Sequence, residues 1–376
     1  VSAFSIAFLI LTTLYYILST FAIAVFFRRK LKHSIPAEQL KISLLKPISG
    51  VDREAAENFR SYLHQDYVNF EILFGVLDPQ DPCIPVILNE ISGCPNASLH
   101  TGVKIDGSNN KVRILHHLYE HATGDILVIT DADTRARPEF LTEITAPFED
   151  PDVGVVTCMY RGIRAASIAD ALEGLHMTCI FAPGVATAHA LGEIDFGLGA
   201  AIAIRRQALD KIGGFESIAD YLADDFQLGR KPVQAGYRVE LSHYVVEEVL
   251  GGERLRSVLA RELRWSRTTK ISRPAGHFGL IVTFGFTYAV AFLFASGFST
   301  NGWSVFAGVT AIRTLTAYIG AMHLNDHDFT KRIHLLPLRD LLSFSIWVAG
   351  YFGRKVKWRG RTLKILPDGR MTTIRK

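Results

Sequence analysis

Residues 126–137 read ILVITDADTRAR, an apolar run closed by two aspartates one residue apart, Asp131 and Asp133. Ile126, Leu127, Val128 and Ile129 leave no polar face, as in a strand buried on both sides of a sheet. Carboxylates at the exit of such a strand sit at the carboxyl edge of a parallel sheet, where open α/β sheets bind ligands. Two neighbouring anions call for a cation, and oxygen-only ligands suit Mg²⁺ or Mn²⁺. Taken alone, the pair fits an acidic turn equally well.

Outward from this run, strand-like and helix-like segments alternate. Residues 42–45, 70–77, 98–103 and 153–157 read as further strands, and 54–64, 84–91, 111–121 and 139–147 as helices between them. This predicts a Rossmann-like, mostly parallel α/β sheet. After the first strand comes KPISGVD, without the GxGxxG of a dinucleotide site, so a nicotinamide enzyme is disfavoured. Residues 199–204 read as a small-residue strand, Asp224 and Asp225 open a helical pattern, and residues 254–270 carry RELRWSR.

The chain is 48% hydrophobic with a mean hydropathy of +0.18, which suggests membrane segments added to a globular core. Residues 3–27 are apolar and uncharged, long enough to span a bilayer, and are followed by Arg28, Arg29, Lys30 and Lys32. With no basic leader and no small-residue cleavage site, an anchor is expected, its basic flank in the cytoplasm. Residues 279–298 and 303–324 could span, provided Arg313 faces protein or water. Residues 341–352 are too short to span and suit an interfacial helix, which leaves the basic tail cytoplasmic. Pro367-Asp368-Gly369 predicts the turn of a hairpin. The division is therefore an anchor (1–30), a cytoplasmic sheet domain (38–272), C-terminal membrane segments (277–353) and a basic cytoplasmic tail (354–376). A net charge of +4 gives no general support for nucleic-acid binding. Cys83, Cys94, Cys158 and Cys179 are scattered and suit a reducing compartment rather than a disulfide framework.

Each remaining motif has a plain and a chemical reading. Asp78 is a turn residue before Pro79, or a ligand contact at the same sheet edge as Asp131. Asn109, ahead of Lys111, is a helix N-cap, or a polar group facing a ligand. Asp224 and Asp225 suit a helix N-terminus, and Asp225 is also a candidate general base. Arg261 and Arg264 share a helix face beside Trp265, as a solvated basic helix or a diphosphate-binding pair. A phosphatase of the haloacid-dehalogenase type would need Thr or Val where Arg135 stands.

In order and spacing, Asp78, Asp131-Ala132-Asp133, Asp224-Asp225 and Arg261-x-x-Arg264-Trp265 resemble the motif set of inverting GT-A glycosyltransferases, and more narrowly the ceramide glucosyltransferase family (family 21). Lys46, Pro47, Gly50 and Asp52 resemble its KP-x-x-G-x-D start, and Asn109 and Lys111 its N-x-K element. The stretches FGLGAAIAIRRQALDKIGGFE, ADYLADDFQLG, RELRWSRT and RPAGHFG look like a bacterial hopanoid-biosynthesis branch. The resemblance implies a GT-A domain with membrane or interfacial helices at both ends, in the inner membrane with the catalytic domain facing the cytoplasm. It implies a UDP-sugar donor, N-acetylglucosamine by the hopanoid branch, and a lipid acceptor, hopanoid or sphingolipid. Lys46, Pro47, Asp78, Asn109, Lys111, Asp131, Asp224 and Arg261 would hold the donor, and Asp131 and Asp133 a Mg²⁺ or Mn²⁺ ion. Asp225 would be the base, with Arg264 and Trp265 completing the catalytic set. Two departures matter, the first making Asp133 an extra candidate metal ligand and the second bearing on a ceramide-like acceptor site. The family has DSG where Asp131-Ala132-Asp133 stands, and His-Pro in the region of Ala182-Pro183. The rivals are a processive polysaccharide synthase and a non-catalytic membrane scaffold.

Overall fold

The computed structural model describes residues 3–28, 40–192, 194–358 and 361–373. The basic flank Arg29, Lys30 and Lys32, and Arg359 of the tail, lie outside the described residues. The chain forms two compact units, each assembled from separated stretches. A sheet unit comprises Leu31–Tyr160, Ile194–Gly251 and Trp358–Lys376; a helical unit comprises Val1–Lys30, Arg161–Glu193 and Gly252–Lys357. The units therefore cut across the linear division read from the sequence. Residues 161–193 and 252–272 group with the apolar helices, and the tail from Trp358 groups with the sheet.

The sheet contains β1 (Ile42–Ile48), β2 (Phe70–Val76), β3 (Ala97–His100), β4 (Ile126–Thr130), β5 (Thr134–Arg135), β6 (Val153–Ile163), β7 (Ala201–Arg205) and β8 (Arg238–Val249). Their order is β3-β2-β1-β4-β7-β6-β8-β5. The first four are parallel, whereas β7 runs antiparallel to β4 and β6, and β5 antiparallel to β8. All of β1 and β4 is buried because both faces are covered. Ile42, Leu44, Ile126 and Val128 enter one apolar cluster, while Leu45, Leu127 and Ile129 enter another on the opposite face. β3 is shorter than the 98–103 read from the sequence, and the expected strand at 153–157 extends to Ile163. Since β1, β2 and β4 run the same way, the turns that follow them gather at one edge.

In the helical unit, Ile6–Arg28 and Thr300–His323 are long and apolar enough to cross a membrane. Arg313 faces protein, as its place in an apolar run requires. It meets both carboxylate oxygens of Asp340 at 2.9 and 2.7 Å. The expected span 279–298 is not one straight helix: Pro274–Thr283 and Gly285–Ala295 meet at a bend of 51°. The break has a packing cause. A Cβ on Gly285 would lie 2.3 Å from the Thr12 methyl group, and its amide donates to Tyr16 Oη at 3.0 Å. The last run forms Leu336–Gly350, below the length of a crossing helix.

Candidate active site

Lys46 is fully buried near the end of β1, beneath the acidic turn. Its Nζ donates to Thr130 Oγ1 at 3.1 Å and to the Asp131 carbonyl at 2.7 Å, 4.0 Å over the Tyr62 ring. Burial pulls the ammonium down to about 7, against the pull of Asp133, Asp131 and Asp52. Pro47 is buried beside it. Both were read as donor contacts; in this structure they lie under the acidic turn, with the Lys46 ammonium bonded to it.

Lys111 is the hub of the next layer. Its Nζ lies 2.6 Å from Asp131 Oδ1 and 3.7 Å from Asp224 Oδ2. Asn109 caps the helix Asn110–His121, its Oδ1 accepting from the Lys111 and Val112 amides at 3.0 and 3.3 Å. Its Nδ2 donates to Asp224 Oδ1 at 3.1 Å and to the Tyr221 carbonyl at 2.9 Å. Asn109 is thus a buried cap that links the start of this helix to Asp224. Segment 219–222 is shared with the tail hairpin of Arg361–Ile365 and Met371–Thr373. The Met371 amide donates to Asp220 at 2.7 Å, the Asn109 amide to Ala219 at 2.9 Å.

Two carboxyls near the acidic turn, Asp133 and Asp225, are held well above their ordinary range. Asp133 is pushed up to about 7 by burial and by the anions Asp131 and Asp52, against Lys46. Asp225 is pushed up to about 6 by burial and by Asp224, with Lys111 opposing. Position 199 explains how Asp225 comes near the acidic turn. The Ala200 carbonyl accepts from the Asp131 amide at 3.3 Å, and a Cβ on Gly199 would stand 3.1 Å from Asp225 Oδ2. Gly229, in the same helix as Asp225 (Asp224–Gln234), lets that helix approach residues 196–197; a Cβ there would fall 2.3 Å from their backbone. Asp78 is exposed, its Oδ1 accepting from the Gln80 amide at 2.9 Å, so the turn reading describes its contacts.

The Arg-x-x-Arg-Trp segment lies in the helical unit, on Leu255–Ser272. Arg261 is committed to carboxylates. It meets Glu173 at 2.8 and 2.6 Å and Glu253 at 2.9 Å, and its guanidinium sits 6.0 Å from the Trp265 ring centroid. Trp265 stacks on His176, ring centroids 6.4 Å apart; burial draws that imidazole down to about 4, so it is neutral. Arg264 and Trp265 are both half-buried. Glu173 and His176 had no signal in the sequence, since Glu173 stands 88 residues from its partner.

The acidic turn suits a divalent hard cation. Asp131 and Asp133 offer oxygen donors, burial and the neighbouring anions Asp131 and Asp52 make the charged form of Asp133 costly without a cation, and Mg²⁺ or Mn²⁺ is commonly held by one or two carboxylates with the remaining positions taken by phosphate and water.

Comparison with known proteins points one way. The family profile described as glycosyl transferase family 21 matches residues 5–371. Ceramide glucosyltransferase 1 of Caenorhabditis elegans is 23% identical over 354 residues, covering 88% of this chain and 73% of the relative. Ceramide glucosyltransferase 3 of the same organism is 24% identical over 60% of this chain and 49% of its own length. Among solved structures, a mannosyltransferase from Pyrobaculum calidifontis, in complex with GDP-mannose and Mn²⁺, superposes with a TM-score of 0.59 at 17% identity, over 93% of this chain and 98% of that one.

Proposed function

This chain belongs to glycosyl transferase family 21 and is a glycosyltransferase of GT-A fold, and on that premise we propose that it moves a sugar from a UDP-sugar to the hydroxyl of a membrane lipid. The reading takes N-acetylglucosamine as the sugar and a hopanoid polyol such as bacteriohopanetetrol as the acceptor. The observation that carries it is Asp225. Its carboxyl is drawn up to about 6 beside Asp224 and Lys111, close to the operating pH of an effective general base.

In this mechanism Asp225 removes the proton from the acceptor hydroxyl as its oxygen attacks the anomeric carbon. The bond to UDP breaks on the opposite face, UDP leaves as an anion, and the centre inverts. No acid is needed for the leaving group, unlike in glycoside hydrolysis. Asp131 and Asp133 would hold Mg²⁺ or Mn²⁺, which supplies Lewis-acid stabilisation to the diphosphate. Lys111 orients Asp131 and lies between it and Asp224, the neighbour of the base. Asp78 bears on the nucleoside half of the donor. By the motif resemblance, Arg264 and Trp265 act on the leaving diphosphate, while Arg261, held by Glu173, stands beside the Trp265 ring. The enzyme sits in the inner membrane as a multi-pass protein with the sheet unit on the cytoplasmic side. Two helices of crossing length support the membrane assignment, and Arg28, in the last turn of the first, supports the orientation.

A second reading is favoured by the relatives named ceramide glucosyltransferase: glucose moved from UDP-glucose to ceramide. One assay separates the two. Purified protein is offered UDP-glucose and UDP-N-acetylglucosamine, each with ceramide and with a hopanoid polyol, and products are weighed by mass spectrometry. A singly glycosylated hopanoid supports the first reading and a glycosylated ceramide the second. A sugar polymer, or no transfer to either lipid, overturns both.

A further inference from the structure

The sheet unit holds a second group of metal-ligating side chains, remote from the acidic turn. His100 closes the edge strand β3, and His117 and His121 stand at i and i+4 on the helix Asn110–His121. One ligand atom from each lies within 4.8 Å of the others, the only such trio among the described residues. We propose that these three histidines bind a divalent transition ion of the zinc class.

Three features carry the assignment. The donors are all imidazole nitrogens, the set preferred by Zn²⁺ and its neighbours over Mg²⁺ or Mn²⁺. One ring has an outer partner of the kind that orients a metal-bound histidine: Ser98 Oγ lies 2.9 Å from His100 Nε2, which leaves Nδ1 for an ion. Glu120 Oε2 stands 3.6 Å from His117 Nδ1. The rings crowd together as separate side chains would avoid doing if charged. His100 and His121 have centroids 4.5 Å apart, and His117 and His121 4.9 Å.

The site is separate from the donor region. β3 lies three strands from β4, about 14 Å across the sheet. His117 and His121 lie about 9 and 15 Å along the helix beyond Lys111. Three protein ligands leave a tetrahedral ion one position for water. The ion would tie the short edge strand to the helix that carries Lys111, a clip placed where the sheet is least supported.

The test uses untagged full-length protein in detergent, stripped of metal and titrated with Zn²⁺, with Co²⁺ as a spectroscopic stand-in. Wild type is expected to bind one more equivalent of Zn²⁺ than H117A/H121A, to give a tetrahedral Co²⁺ spectrum, and to melt at a higher temperature with Zn²⁺. The double variant is expected to bind at that site at least 100-fold more weakly. Both circular dichroism and the metal-free melting temperature should match wild type, because His121 is exposed and His117 only half-buried. D131N/D133N should retain the extra equivalent. Equal Zn²⁺ binding by wild type and H117A/H121A, or loss of the equivalent in D131N/D133N instead, overturns the proposal. Neither result bears on sugar transfer.

Discussion

Both units carry charge where it is expensive, but they settle it in opposite ways. In the helical unit three carboxylates each meet a guanidinium with both oxygens. Arg339 meets both oxygens of Glu262 at 2.7 and 2.8 Å, Arg313 both of Asp340, and Arg261 both of Glu173. At the sheet edge the carboxylates outnumber the cations. Lys111 and Lys46 serve Asp131, Asp133, Asp224, Asp225 and Asp52, and two of those carboxyls are pushed to about 7 and about 6. Matched charge fixes helices against one another. Unmatched charge leaves groups ready to take a proton or a cation, and marks the place for chemistry.

The contrast can be broken from either side. The largest effect belongs to the unmatched edge: Asp225→Asn should cut transfer by about 10²–10⁴-fold, the span of a lost general base. UDP-sugar binding, followed by calorimetry, should hardly change. Loss of both would make Asp225 a binding residue instead.

On the matched side, Arg339→Met leaves Glu262 buried and alone, and should cost about 3–5 kcal/mol of stability in a detergent melt. Arg339→Met with Glu262→Leu should recover most of that. A double variant as unstable as the single one would mean the pair contributes more than mutual compensation.

Gly229→Ala places a methyl group against the backbone of residues 196–197. It should cost about 1–3 kcal/mol by overpacking. Because the same helix presents Asp225, kcat should fall more than donor affinity.

The pH dependence sharpens the contrast further. The base works deprotonated, and Asp225 titrates at about 6, so kcat/KM should fall about tenfold per pH unit below 6. A flat profile down to pH 5 would remove Asp225 from the proton transfer.

The smallest expected effect is on the cost of the unmatched edge itself. Asp133 titrates at about 7 in the fold against 3.8 as a free side chain. A raised carboxyl contributes stability that is full below the unfolded value and is lost as pH rises through the folded one. In metal-free protein at pH 8, Asp133→Asn should therefore raise the melting temperature by a few degrees, and Mg²⁺ should narrow the gap by stabilising only the wild type.

Much of this was legible in the sequence for a physical reason. Ile126–Thr130 is apolar on both faces, and that alone places Asp131 at the exit of a central strand. The partners of those residues were not legible. Lys111 joins Asp131 and Asp224 across 20 and more residues, and Glu173 reaches Arg261 across 88; no local pattern encodes either pairing. The bend at Gly285 was hidden likewise, since its cause is Tyr16, far earlier in the chain. The cap reading of Asn109 is visible in its bonds to the Lys111 and Val112 amides, while its reach to Asp224 had no local signal.

The hairpin at Arg361–Ile365 and Met371–Thr373 gives the enzyme a timetable. It seals segment 219–222, which holds Asn109 and through it Asp224. Met371 is synthesised about 150 residues after Asp220, roughly 8–30 s later at ordinary elongation rates. The contact that seals segment 219–222 is therefore among the last in the sheet unit to become available as the chain is made.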